Sequence, residues 1–165
     1  MVLSFQPDGL RIDPFKGYNF LVRLLGSSSQ LATGPLDILA EAAAGFSECS
    51  GLETTLELEP YQEGGNNGTV LQFPTRVTWG NIRLKRGLAI SDELWNWHYG
   101  FVEGRGQRRD GLIILLNDLQ LPVKIWQFKR GLPAKWTGPS LNAAQNQIAV
   151  EDLEIAHEGL VLFAL

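Results

Sequence analysis

The most regular stretch of the chain runs from Leu52 to Tyr61. Leu52, Thr54, Leu56 and Leu58 share one parity, and Glu53, Thr55, Glu57 and Glu59 share the other. A period of two predicts a strand with one buried face. Glu63 to Gly68, EGGNNG, supplies residues that tolerate the positive φ of a hairpin turn. Thr69 to Trp79 then returns as the partner strand, so a long hairpin is expected. Tyr18 to Leu25 (Tyr18, Phe20, Val22 and Leu24 on one face), Asn81 to Gly87, Leu112 to Leu116, Val123 to Phe128 and Leu160 to Leu165 read as further strands. Ile148 to Ile155 changes phase midway, which predicts a β-bulge near Glu151–Asp152. Leu132 to Pro139, LPAKWTGP, reads as a bend because its prolines do not suit a central strand.

Helical spacing is rarer. Ser91 is placed to cap a helix over Asp92 to Glu103, with Gly104 to end it. Ile90 and Trp95 fit a hydrophobic staple, and Leu94, His98 and Phe101 form a stripe that Trp95 and Val102 widen. Pro35 to Ala44 has the spacing of a short second helix. Together these elements predict a mainly β protein, and 165 residues predict one domain over 1–165.

Composition sharpens the picture through what it lacks. Charged residues are 19% of the chain, against roughly 25% in an average soluble domain. A small monomer needs a large polar surface, so a low charge fraction with five Trp suggests a surface covered by copies of the same chain. The net charge of -4 argues against a general electrostatic nucleic-acid binder. The longest apolar runs fall far short of a membrane span, and the N-terminus lacks the pattern of a signal peptide. The expectation is a soluble protein, cytoplasmic at synthesis.

Candidate chemistry is sparse. Cys49 is the only cysteine, which excludes an intrachain disulfide, and with two His there is no zinc-ligand spacing. Cys49 reads as a small buried hydrophobe, His98 as a packed structural histidine, and His157 with Glu158 as a polar pair at a strand end. The glycine-rich run Gly104 to Arg109 follows a helix and precedes a strand, the reverse of the setting that phosphate loops require. No catalytic residue, cofactor or metal is predicted. Two alternatives remain: a monomeric sandwich that binds ligands on Trp79, Trp126 or Trp136, and a small hydrolase centred on Cys49 or on His157 with Glu158. Charge suggests something else. Glu53, Glu57, Glu59 and Glu63 make one strand acidic, while Arg83, Lys85 and Arg86 make another basic, and such strands can set register where they meet across a subunit boundary.

Six fragments in order carry a resemblance: GFSECSGLE at Gly45, YQEGGN at Tyr61, NIRLKRG at Asn81, ELWNWH at Glu93, LPAKWTGPSLNA at Leu132 and IAVEDLEIAHEGL at Ile148. The chain resembles the tail-tube protein family of contractile phages and related contractile injection systems. The resemblance implies a split β-barrel or β-sandwich with one flanking helix and a long hairpin. Six copies would form a ring around a channel, and rings would stack inside a contractile sheath. The same fold class includes the ring protein of type VI secretion. The hairpin Glu53 to Val77 would reach neighbouring subunits, and together with the charge pairing suggested above this makes Glu53, Glu57, Glu59, Tyr61, Glu63, Arg76, Arg83, Lys85 and Arg86 the expected interface. Leu94, Trp95, Trp97, His98 and Phe101 would pack the helix or face the sheath. The implied partners are the chain itself, sheath subunits, baseplate or spike proteins, and effector cargo or DNA in the lumen. Ser27 to Ala44 is an insertion relative to the family, and the wording LKRG, LWNWH, AKW and HEG sits nearer to the branch found at the baseplate end as a tube initiator.

Overall fold

The computed structural model describes residues 16–26, 45–66, 68–88 and 90–164. The expected helix over Pro35 to Ala44, and the insertion that contains it, lie outside the described residues. Among the described residues nine strands and one helix follow in the order β1 (Phe20–Leu25), β2 (Glu48–Ser50), β3 (Thr54–Tyr61), β4 (Leu71–Trp79), β5 (Ile82–Gly87), α1 (Glu93–Val102), β6 (Arg109–Leu116), β7 (Pro122–Thr137), β8 (Val150–Ala156) and β9 (Gly159–Ala164). All strand pairs are antiparallel.

The 16 residues of β7 organise the body. Its first half pairs with β6 and β9, giving a sheet ordered β1-β6-β7-β9. Its second half pairs with β8, giving a second sheet ordered β7-β8-β5-β2. β8 and β9 lie end to end along one side of β7, and the ribbon bends where Arg130 adopts φ 53°. Arg130 and Arg108 both reach Glu158 across this corner, at 2.8 and 3.0 Å, and the Arg130 amide donates to Asp110 Oδ1. The segment expected to bend at Leu132 to Pro139 is therefore strand as far as Thr137. Pro133 is tolerated because this half of β7 is a sheet edge with β8 on one side only, and a register shift follows at Pro133/Lys135.

The two sheets enclose a core of Val22, Ile113 and Phe128 from one side and Ile82, Leu84, Leu153 and Ile155 from the other, with Leu94 and Trp97 of α1. A second apolar cluster, Leu25, Leu112, Ile114, Leu116 and Ile125, lies on the other face of the first sheet. That double burial explains why β6 reads as an apolar run rather than an alternation.

The expected bulge at Glu151–Asp152 is absent, since β8 keeps one register against β5 throughout. Glu151 itself takes the core position. Its Oε1 accepts from Arg86 Nε at 2.6 Å and its Oε2 accepts from Trp136 Nε1 at 2.9 Å. Arg86 also donates to the Ser91 carbonyl, so the pair ties β5, β8 and β7 to the start of α1. Arg86 keeps 2% of its surface exposed. Its place in the expected interface is thereby corrected: it is a core residue, buried because a carboxylate is buried beside it. Ile148, expected in the same alternation, is exposed.

The helix begins with Asp92 rather than Ser91 as N-cap, without a side-chain capping bond, and the Ser91 carbonyl accepts from Arg86. Ile90 is fully exposed and forms no staple. Gly104, at φ 74°, follows the end of the helix as expected.

Candidate assembly interface

β3 and β4 form a two-stranded sheet of their own, joined by register to neither of the two sheets of the body. Every residue of β3 is exposed, and so is all of β4 except Trp79. Eight residues at about 3.3 Å each project this arm roughly 25 Å. The alternation of β3 therefore does not mark a face buried within the protomer, which corrects the simplest reading of it.

The root of the arm is closely packed. Gly51 has φ 82°, and a Cβ there would lie 2.0 Å from the Asn81 carbonyl oxygen, so only glycine allows this approach. Backbone bonds from Glu53 N to Gly51 O and from Gly80 N to Glu53 O fasten the two strands where they leave the body.

The register sorts the side chains onto two faces. Leu56, Leu58 and Pro60 lie with Val77, Pro74 and Gln72 on one face. Glu57, Glu59 and Tyr61 lie with Arg76, Phe73 and Leu71 on the other. The two faces stay in phase because Thr75 is an extra residue in the ladder, and its hydroxyl donates to the Glu57 carbonyl. The first face is apolar apart from Gln72. The second carries the Glu57–Arg76 ion pair at 3.2 Å near the root and an edge-on Tyr61–Phe73 contact at 5.9 Å nearer the tip. Four Glu (Glu53, Glu57, Glu59, Glu63) against Arg76 alone leave the arm a net charge of -3.

The basic strand is placed differently from its expected role. Arg83 reaches Glu154 at 3.7 Å and Lys85 reaches Glu48 at 3.0 Å, so both already have partners within the protomer. With Lys135 and Asp152 they form a face on the second sheet carrying three cations and three anions. Asn81 donates to Glu154 and, with Arg83 and Lys135, holds that carboxyl below the ordinary Glu value. The register brings Arg83 and Lys85 of β5 together on one face, while Glu53, Glu57, Glu59, Tyr61, Glu63 and Arg76 sit on the arm.

α1 turns Leu94 and Trp97 into the core, with Phe101 partly buried against it. Trp97 Nε1 donates to the Gln107 carbonyl, and His98 Nδ1 lies 3.0 Å from the Pro133 carbonyl. Trp95 and Tyr99 stack at 5.3 Å and Trp95 meets Trp136 edge-on, leaving Trp95, Tyr99 and Val102 as an exposed ridge.

The residues considered for chemistry are packed or paired. Burial pushes the Cys49 thiol up to about 11, the wrong direction for a nucleophile. Glu158 is bound by two arginines rather than by His157, whose Nδ1 bonds the Gly159 carbonyl. The cations of the Gly104 to Arg109 run are taken up by Glu103, Glu158 and Glu93. Among the described residues no group of His, Cys, Asp and Glu is arranged to hold a metal ion, and no helix is long and apolar enough to cross a membrane. Two features were not read from the sequence: the buried Glu151, whose only signal was the broken phase of β8, and a groove between β1 and β2.

Comparison with known proteins falls on this geometry. The family described as T4-like virus tail tube protein gp19 matches residues 17–161. A chain of the anti-feeding prophage baseplate superposes with a TM-score of 0.78 at 27% identity, covering 92% of this chain and 97% of that one. A chain of the extended sheath-tube complex of the PVC extracellular contractile injection system gives a TM-score of 0.75 at 23% identity, over 92% and 93% of the two chains. Hcp1 from Flavobacterium johnsoniae shares the fold more distantly, at a TM-score of 0.51 and 13% identity over 89% and 96%. No curated protein matches the chain.

Proposed function

The chain belongs to the T4-like tail tube protein family, a structural family and not an enzyme family, and from that premise we propose that six copies close into a ring and that rings stack into the inner tube of a contractile injection system or phage tail. The observation that carries this reading is the arm: a long exposed hairpin with an apolar face that no other described residue of its own protomer covers. Ring contacts run through Glu53, Glu57, Glu59, Tyr61, Glu63 and Arg76 of the arm, with Arg83 and Lys85 at the paired sheet face. The ridge of Trp95, Tyr99 and Val102 faces the sheath. The structural relatives come from a sheath-tube complex and a baseplate, and the partners proposed here follow from them: sheath subunits along the tube and baseplate proteins at its end. The mechanism is mechanical. The sheath shortens, the stiff tube is driven forward, and cargo or DNA travels through the channel.

A second reading places the chain in the ring next to the baseplate. It is favoured by the higher identity to the baseplate chain, 27% against 23%. Size-exclusion chromatography with negative-stain microscopy tests the main reading: rings or tubes are expected, and monomers at every concentration, even beside sheath and baseplate proteins, would refute it. Tubes of unlimited length from the purified chain support the repeating subunit, whereas single rings that extend only with a second tube protein support the initiator.

A further inference from the structure

The arm pairs with neither sheet of the body, so no strand ladder sets the direction in which it leaves. The backbone bonds at its root join Gly51, Glu53 and Gly80 to one another and hold the two strands together. Among the described residues of β3 and β4, Trp79 alone is not exposed. Its ring lies against His157, with centroids 6.0 Å apart and planes at 49°. His157 stands between β8 and β9 at the β7 corner, and it also meets Phe128 at 6.3 Å.

We propose that His157 is a positioning residue that aims the arm, its ring serving as the bearing surface between Trp79 and the core. The proposal rests on the ring reading above for its purpose: a ring closes only when every copy repeats the same rotation, so all arms must leave their protomers in one direction.

The chain of contacts is held from the core outward. Phe128 is fully buried, and a Cβ on Gly111 or Gly131 would lie 2.2 or 2.7 Å from its ring. The ring thus fills the space that a side chain would take at either position. The backbone that carries His157 is tied to β7 on both sides, since Ala156 pairs with Leu132 and Gly159 with Lys129. Glu158 adds three ties. Its amide donates to the Lys129 carbonyl at 3.0 Å, and its carboxylate takes Arg108 and Arg130. The imidazole is oriented as well. Its Nδ1 lies 3.1 Å from the Gly159 carbonyl, which can only accept, so Nδ1 donates in this bond. Nε2 is buried and has no hydrogen-bond partner among the described residues. Towards Trp79 the imidazole therefore acts as an aromatic plane.

The direction of the arm can be measured within the protomer. Spin labels on Gln62→Cys near the arm's end and Asn96→Cys on α1, in a Cys49→Ala background, report a distance distribution by double electron–electron resonance on the dilute monomer. His157→Asn keeps a donor for the Gly159 carbonyl and removes the ring, whereas His157→Phe keeps a ring and removes the donor. The expected result is a single narrow peak in the parent and in His157→Phe. That peak should be lost in His157→Asn and in Trp79→Ala, with circular dichroism unchanged in both. A narrow peak retained in His157→Asn overturns the proposal, and so does a broad distribution in the parent or in His157→Phe. Should the His157 variants fail to fold, Trp79→Ala reads the same contact from the arm, and a narrow peak there overturns it too. Particles are imaged in parallel. A parent that forms no rings defeats the ring reading and leaves the aim of the arm standing. Normal rings from His157→Asn with a loosened arm would overturn the assembly role given to His157.

Discussion

Leu153 in β8 and Leu58 in β3 hold equivalent places in alternating strands, yet Leu153 is fully buried and Leu58 keeps 53% of its surface exposed. Each strand has an ion pair as well. Arg86–Glu151 is sealed beside β8 with side chains 2% and 5% exposed, while Glu57–Arg76 on the arm stands at 45% and 72%. One pair of strands completes its own core. The other carries the same periodic pattern into solvent. The comparison teaches that alternation specifies a face to be covered but not the molecule that covers it.

The sharpest way to break the comparison is through the two ion pairs. Arg86→Ala leaves the Glu151 carboxylate buried without its cation, and such a loss costs about 3–5 kcal/mol. Urea unfolding of the dilute protomer should show the midpoint falling sharply. Arg86→Met combined with Glu151→Leu should recover most of that loss, because apolar replacement of a whole buried pair is commonly neutral or better. An Arg86→Ala protomer as stable as the parent would mean that the pair is not sealed as described.

Next in size is the same truncation in both strands. Leu153→Ala opens a cavity in the core and should cost about 2–5 kcal/mol of protomer stability. Leu58→Ala should change protomer stability by no more than about 0.5 kcal/mol while weakening assembly, read by sedimentation. Equal destabilisation of the protomer by the two changes would show that the arm is covered within its own chain.

These contrasts locate what was legible in the sequence. The hairpin, its EGGNNG turn, the helix over the Asp92 region and most of the longer strands could be read because period and turn chemistry are local properties, whereas the short β2 was not read. Two misreadings share one cause. The phase break in Ile148 to Ile155 suggested an extra residue, but Glu151 stands in the core because Arg86 reaches it from the neighbouring strand. Leu132 to Pro139 suggested a bend, but Pro133 lies on a sheet edge that only the topology defines. Both depended on a neighbour in space. The groove between β1 and β2 was invisible for the same reason, since its lining comes from β1, β2, β6 and β7.

A smaller effect separates the paired sheet face from the core behind it. Glu154 is held below the ordinary Glu value of 4.5 chiefly by the Asn81 hydrogen bond, with help from Arg83 and Lys135. The unfolded chain therefore binds the proton more readily than the folded one. The contribution to stability is present above the unfolded value and is lost as pH falls through the folded value. Denaturation midpoints between pH 6 and pH 3 should decline less steeply in Glu154→Gln than in the parent. Parallel declines would show that this face does not use its carboxylate.

The smallest protomer effect is expected at Glu57 and Arg76, and it bears on assembly. An exposed pair contributes about 0.2–1 kcal/mol, so Glu57→Lys should barely move the melting curve. Its effect on rings has two sources that the single change confounds: loss of the pair itself, and a new charge presented to the neighbour. Swapping the pair, Glu57→Arg with Arg76→Glu, restores attraction within the arm and moves each charge to the opposite strand. If the neighbouring copy reads the charge pattern, the swapped arm should still impair ring formation in light scattering and negative stain. If the swap restores normal rings, the pair only stiffens the arm and docking is left to the apolar face. Because salt screens exposed charges over about 8–10 Å, the impairment from a misread pattern should also shrink between low and high ionic strength, whereas a loss of apolar contact should not.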